Sequence, residues 1–211
     1  MHPISAELER HYSAKFSLHG PCSEGVDWGS DEANTALRYE KMLAITAGCP
    51  KPTPSLLDVG CGYGGLYLHS IKKNVTLDYS GIDAAESMIQ WAKANIPSGQ
   101  FIHGDMLEVQ FDRKFDYLVC NGILTQKLEV PTFQMDLFAG ELIRRMFDLC
   151  NFGIALNMIT TKVNYFSNNL YYRDPVEMLS WCLSEITAHV KLDHAYPLYE
   201  YTVYLYREPL G

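Results

Sequence analysis

The stretch Leu56-Leu57-Asp58-Val59-Gly60-Cys61-Gly62-Tyr63-Gly64-Gly65 constrains the fold of this chain more than any other. Apolar residues run into an acid, a glycine-rich turn follows, and a helical pattern begins where the turn ends. A buried strand that stops at such a turn and restarts as a helix builds a cradle of backbone N–H groups at the helix N-terminus. Glycine at positions 60 and 62 can take positive φ and has no Cβ, so a ligand can lie against the main chain there.

From this point the chain alternates strand and helix, the pattern of a parallel sheet covered on both faces. A first strand at about 55–60 leads to a helix at about 63–72. A second strand ends at Gly81-Ile82-Asp83, and Ala85, Met88, Ile89 and Ala92 then repeat at helical spacing. A third strand, Gln100–His103, stops at Gly104-Asp105. The nearly unbroken apolar run Phe115–Cys120 reads as a central strand ending at Asn121-Gly122. A helix carrying Phe138, Leu142, Met146 and Leu149 precedes a fifth strand at 152–159. The segment 161–173, rich in tyrosine, is longer than an ordinary βα turn, and such loops are commonly functional. Asp174-Pro175-Val176-Glu177 opens a helix with an acid N-cap, proline at N1 and glutamate at N3. Alternating residues at 190–194 and 201–205 close the chain as an antiparallel hairpin.

Before the glycine stretch, residues 1–29 read as short helical turns and a loop. Ser30 reads as the N-cap of a helix that ends at Gly48 and Pro50. The expected organisation is a single domain over 1–211, with a helical cover over 1–48 and a substrate lid over 161–173. At 211 residues the chain is long enough to bury one sizeable core.

Net charge of −8 works against a protein that grips nucleic-acid phosphates, which needs a basic face. The six cysteines are scattered with no Cys-x-x-Cys pair, and no N-terminal apolar segment marks export. A cytoplasmic protein with reduced thiols, off the membrane and acting on a small molecule, is the expectation; nothing speaks to its oligomeric state. No metal-ligand spacing stands out: His189 and His194 are five apart on a strand-to-turn segment and face opposite ways.

The glycine turn alone leaves two readings open. Gly60-x-Gly62-x-x-Gly65 satisfies the dinucleotide fingerprint, and Asp83 ends the next strand where an acid can accept from ribose hydroxyls. Yet Asp58 puts a negative charge beside the turn, which suits a cationic ligand better than a pyrophosphate. Asp105-Met106 then close the third strand, and the chain ends in a hairpin instead of a sixth parallel strand.

This set, with Asp58-Val59-Gly60-Cys61-Gly62 as the first motif, resembles the class I S-adenosylmethionine-dependent methyltransferases, the small bacterial members that act on small molecules. The resemblance implies an α/β fold, a doubly wound, seven-stranded, mostly parallel sheet of order 3-2-1-4-5-7-6, with strand 7 antiparallel and helices on both faces. It implies S-adenosyl-L-methionine as cofactor, with Asp105 on the adenine amino group, Met106 against the ring, and Asn121 in the fourth motif. Trp28 and Arg38 are placed to help hold the cofactor, as are Tyr12 and Ala84. The activity implied is transfer of a methyl group to an O or N atom of a metabolite by in-line displacement, at a site that aligns the nucleophile and excludes water. His19 and Tyr171 stand as candidate bases, and Tyr172 and Arg173 as candidate substrate contacts. A protein or tRNA methyltransferase is the alternative within the class. A nicotinamide-dependent oxidoreductase or a non-catalytic cofactor-binding protein is the alternative outside it.

Overall fold

The structure, a computed structural model, describes residues 1–209. β1 (Ser55–Val59) lies parallel to β2 (Asp78–Asp83) on one side and to β4 (Phe115–Cys120) on the other. β3 (Gln100–His103) extends the sheet beyond β2, and β5 (Cys150–Thr160) extends it beyond β4, both parallel. β8 (Glu200–Tyr206) runs antiparallel to β5, and β7 (His189–Asp193) antiparallel to β8. The order β3-β2-β1-β4-β5-β8-β7 is the expected one with a shift of numbering. The shift comes from β6, a two-residue strand at Tyr172–Arg173 that pairs parallel with the end of β5 and makes eight strands of the expected seven.

Adjacent residues of a strand point to opposite faces, so apolar neighbours feed two cores. Leu57, Val59 and Leu118 join Phe138, Leu142 and Met146 of α5 (Thr132–Leu149) on one face. Leu56 and Val119 join the other face, with Met42 of α2 (Glu32–Leu43), Leu66 of α3 (Gly65–Lys72) and Ile89 of α4 (Glu86–Asn95). Each fully buried side chain of this kind contributes ~1.5–3 kcal/mol over leaving it exposed. The strands around Asp58 are therefore held firmly on both faces, with Gly81 and Val119 flanking it in register.

Two local expectations are corrected. Residues 3–19 are not short turns but one helix, α1 (Pro3–His19), whose His2 cap accepts from the Ile4 N–H and whose first residue is proline. Its stripe of Ile4, Leu8, Tyr12 and Phe16 repeats every four residues and packs on the site end of the sheet. The cap of α2 is Asp31, not Ser30: its carboxylate accepts from Ala33 N and Asn34 N at 2.9 and 3.1 Å. The cap of α6 (Pro175–Glu185) is as expected, with Asp174 accepting from Val176 N at 2.9 Å.

Segment 161–173 is stitched down at its far end. Tyr171 N donates to Thr125 O, Leu170 bridges Gln126, and Asn169 O accepts from both Lys127 N and Leu128 N. Among the described residues no helix is long and apolar enough to cross a membrane.

Candidate active site

β1 ends at Val59 and the chain turns through Gly60 and Gly62, both at positive φ, +75° and +54°. A Cβ on Gly60 would stand 2.6 Å from the Ile123 side chain. The backbone thus closes to within contact of the loop after β4, and only glycine fits. The turn is pinned to β2, since Gly60 N and Cys61 N both donate to Ile82 O.

Three aspartates, with Glu9 of α1, line the cavity that opens beside this turn. Asp58 is 2% exposed and accepts from the Tyr79 hydroxyl at 2.8 Å. Burial pushes its carboxyl up to about 7; the Tyr79 hydrogen bond opposes that rise and the Asp83 charge adds to it. Asp83 ends β2 and accepts from Gly62 N and Ala85 N, each at 2.8 Å, so it ties the glycine turn to the start of α4. Burial raises its carboxyl above the usual range against those two hydrogen bonds. Asp105 follows β3, accepting from Leu107 N at 3.0 Å and from His2 N at 2.7 Å. The start of α1 therefore reaches across the cavity to the third carboxylate.

Ala84, Met106, Tyr12 and Trp28, the candidates named from the sequence, also line this cavity. The Tyr12 hydroxyl faces Gly122 O at 3.4 Å, and burial keeps it protonated well above the usual phenol range. Asn121, at the end of β4, is buried in the same cavity with neither amide atom paired. A buried amide without partners costs about 1–3 kcal/mol per group, which a ligand in this space would relieve. Cationic groups, hydroxyls and an amino group on one molecule suit these carboxylates and this amide, so the residues fit S-adenosylmethionine.

A second, wider cavity of about 720 Å³ adjoins the first, against about 100 Å³ of room beneath α1. Trp28 lines both and separates them. Its turn is held by Asp27, itself in the left-handed region at φ 59°, whose carboxylate meets His11 and Lys15 at 2.8 Å and Gln126 at 3.0 Å. Asn157 of β5 and Glu200 of β8 also face the wide cavity. Asn157 joins the two spaces by accepting from Gly122 N at 2.9 Å while donating to Glu200 at 2.8 Å.

Several expected site residues stand elsewhere. Arg38 lines the wide cavity, not the narrow one, and binds Glu200 through Nε at 2.8 Å and Nη2 at 2.6 Å. His19 ends α1 exposed and lines neither cavity. Tyr171 is buried to 1%, its hydroxyl donating to Asp136 at 2.6 Å, so it supports the loop from beneath and faces no ligand space. Arg173 is paired with Asp136 and Glu177 outside both cavities, whereas Tyr172 does line the wide one. Sequence reading passed over Asn157, Glu200 and Gln126. The signal for Asn157 was present, a lone amide inside the apolar run of β5.

A parallel sheet with one antiparallel hairpin, a glycine turn after β1 and an acid at or beside the carboxyl end of each of β1, β2 and β3 define a class. The fold and the site are those of the class I S-adenosylmethionine-dependent methyltransferases, and the chain is similar to them in sequence. Residues 56–149 match the family described as Methyltransferase domain. Rv1506c of Mycobacterium tuberculosis, which carries a provisional methyltransferase name, is 29% identical over 155 residues, 71% of this chain and 90% of that one. Among solved structures, magnesium protoporphyrin IX methyltransferase from Synechocystis PCC 6803 with bound S-adenosylhomocysteine superposes at a TM-score of 0.66, with 13% identity, 97% of this chain and all of that one covered. The plantazolicin methyltransferase BpumL, solved with a desmethylplantazolicin analogue and S-adenosylhomocysteine, superposes at 0.61 with 13% identity over 98% of this chain and 99% of that one.

Proposed function

We propose that the chain methylates an O or N atom of a small-molecule metabolite that enters through the wide cavity and meets the cofactor at Trp28. One observation carries this reading: the wide cavity opens at the carboxyl end of β5 and the amino end of the antiparallel β8, and shares Trp28 with the carboxylate-lined cavity. Ligands of open α/β sheets gather at that edge. Its volume falls within the ~300–1,000 Å³ typical of small-molecule sites. The two proteins of similar fold described above are methyltransferases named for magnesium protoporphyrin IX and plantazolicin, which agrees with a small acceptor.

When bound, S-adenosylmethionine supplies an electrophilic methyl group on a sulfonium. In this reading Asp83 takes the ribose hydroxyls, Asp105 the adenine amino group, and Met106 packs against the ring. Asp58 offsets positive charge, and Asn121 pairs its amide with the ligand. α1 roofs the narrow cavity and 161–173 borders the wide one, so together they serve as covers that exclude water during transfer.

The test is an incubation of cell extract with methyl-labelled S-adenosylmethionine, wild-type chain and a Leu170→Trp variant whose indole narrows the wide cavity. Label in a metabolite fraction with the wild type and not the variant supports the reading. Label confined to protein or tRNA overturns it.

A further inference from the structure

The wide cavity contains an unfinished hydrogen-bond network. Arg38, on α2, gives Nε and Nη2 to Glu200, and the second Glu200 oxygen is taken by Asn157 Nδ2 at 2.8 Å. Both partners are shielded, with side-chain exposures of 15% for Arg38 and 9% for Glu200. The guanidinium lies 5.3 Å over the Trp28 ring. Its remaining nitrogen, Nη1, is buried and has no partner. A shielded donor left unpaired is unfavourable, and guanidinium nitrogens only donate. The missing partner is therefore an acceptor atom, and the space beside Arg38 is the wide cavity.

The charge of that partner follows from Glu200. The guanidinium is already neutralised by a two-point carboxylate contact. A second carboxylate at Nη1 would leave a net negative cluster in a shielded space that also holds Asp27. A neutral oxygen completes the donor set without that cost. Trp28, Tyr165, Tyr172, Tyr199, Ile159 and Leu170 give the cavity aromatic and apolar walls, with the uncharged polar side chains of Asn34, Thr125 and Gln126 among them. Tyr165 and Tyr199 are 74% and 50% exposed, so the rim presents two tyrosines to solvent beside the opening. Flat faces of this kind favour a planar ring.

We infer that the acceptor is an uncharged aromatic molecule bearing a carbonyl oxygen that accepts a hydrogen bond from Arg38 Nη1. The inference rests on the proposal that the wide cavity receives the acceptor, and it gives Arg38 to the acceptor instead of the cofactor.

The experiment uses the full chain loaded with S-adenosylhomocysteine and measures binding of 1-naphthamide and 1-naphthoate by ligand-observed NMR. The expected result is that the amide binds about tenfold more tightly than the carboxylate. Because Arg38→Met alone strands a buried Glu200, the variant to use is the Arg38→Met/Glu200→Gln double mutant, with Leu170→Trp as a second, network-sparing variant. The double mutant should lose about tenfold in amide affinity and keep its affinity for S-adenosylhomocysteine within twofold. Leu170→Trp should abolish amide binding. Tighter binding of the carboxylate, absence of amide binding to the loaded wild type, or amide binding indifferent to the double mutation would each overturn the inference. A tenfold loss of S-adenosylhomocysteine affinity in the double mutant would also overturn it, by giving Nη1 to the cofactor. Failure of S-adenosylhomocysteine to bind the wild type would instead overturn the assignment of the narrow cavity.

Discussion

Replacing Asp58 by Asn separates what this residue costs the fold from what it does for the ligand. Its carboxyl is 2% exposed and is pushed up to about 7 by burial, against an ordinary value of 3.8. Below about pH 4 the group is protonated in both folded and unfolded chains and costs nothing. Between pH 4 and 7 the unfolded chain ionises while the folded one keeps its proton, so stability falls as pH rises. At ~1.36 kcal/mol per unit over about three units the full loss is ~4 kcal/mol, reached near pH 7 and constant above it. Asn keeps the shape and can still accept from Tyr79, but it does not titrate. Urea unfolding of the ligand-free chain from pH 4.5 to 7.5 should show the variant gaining ~3 kcal/mol over the wild type across that range.

The ligand arm has the opposite sign. A unit cation ~7 Å from a carboxylate at an effective dielectric of ~20 is worth ~2 kcal/mol, about thirtyfold in Kd. Asp58→Asn should weaken S-adenosylmethionine by that order, and S-adenosylhomocysteine, which lacks the sulfonium, by less. Binding to the wild type at pH 7 should release roughly half a proton, read from calorimetry in buffers of different ionisation enthalpy. Parallel stability curves for the two proteins, or unchanged S-adenosylmethionine affinity, would refute the reasoning.

Gly60→Ala must place a Cβ at positive φ and 2.6 Å from Ile123, so it should cost at least ~2 kcal/mol and weaken S-adenosylhomocysteine more than tenfold by calorimetry. Gly48→Ala, at φ +77° with nothing near its Cβ, should cost only the ~1 kcal/mol of backbone strain and leave binding intact. Asp27→Gly keeps the left-handed turn but removes the anchor for His11, Lys15 and Gln126; it should lose ~1–3 kcal/mol in urea unfolding and loosen Trp28, seen as altered tryptophan emission. Hydrogen exchange in α1 and in 161–173 should slow when S-adenosylhomocysteine binds, and unchanged protection would remove their role as covers.

Much of the fold was legible because its signals are local and periodic. The two-faced apolar runs of β1 and β4, the glycine turn and the proline-acid start of α6 each carry their own physical reason. α1 was missed although Ile4, Leu8, Tyr12 and Phe16 mark it, because exposed and polar residues between them dilute the pattern. β6 is two residues long and exists only through pairing with β5, which no local pattern encodes. At the site, the acids at or beside the ends of β1, β2 and β3 were readable from that placement. The catalytic candidates were not: Tyr171 looks available in sequence, and only the tertiary contact with Asp136 buries it. Likewise Arg38 and Glu200 lie 162 positions apart, and their pairing depends on the antiparallel placement of β8 beside β5.

A crystal structure of the chain with S-adenosylhomocysteine tests the central claim most directly. The account predicts the adenine amino group at Asp105, the ribose hydroxyls at Asp83, and the sulfur directed past Trp28 toward the wide cavity. A ligand whose ribose misses Asp83, or whose sulfur faces away from that cavity, would contradict it.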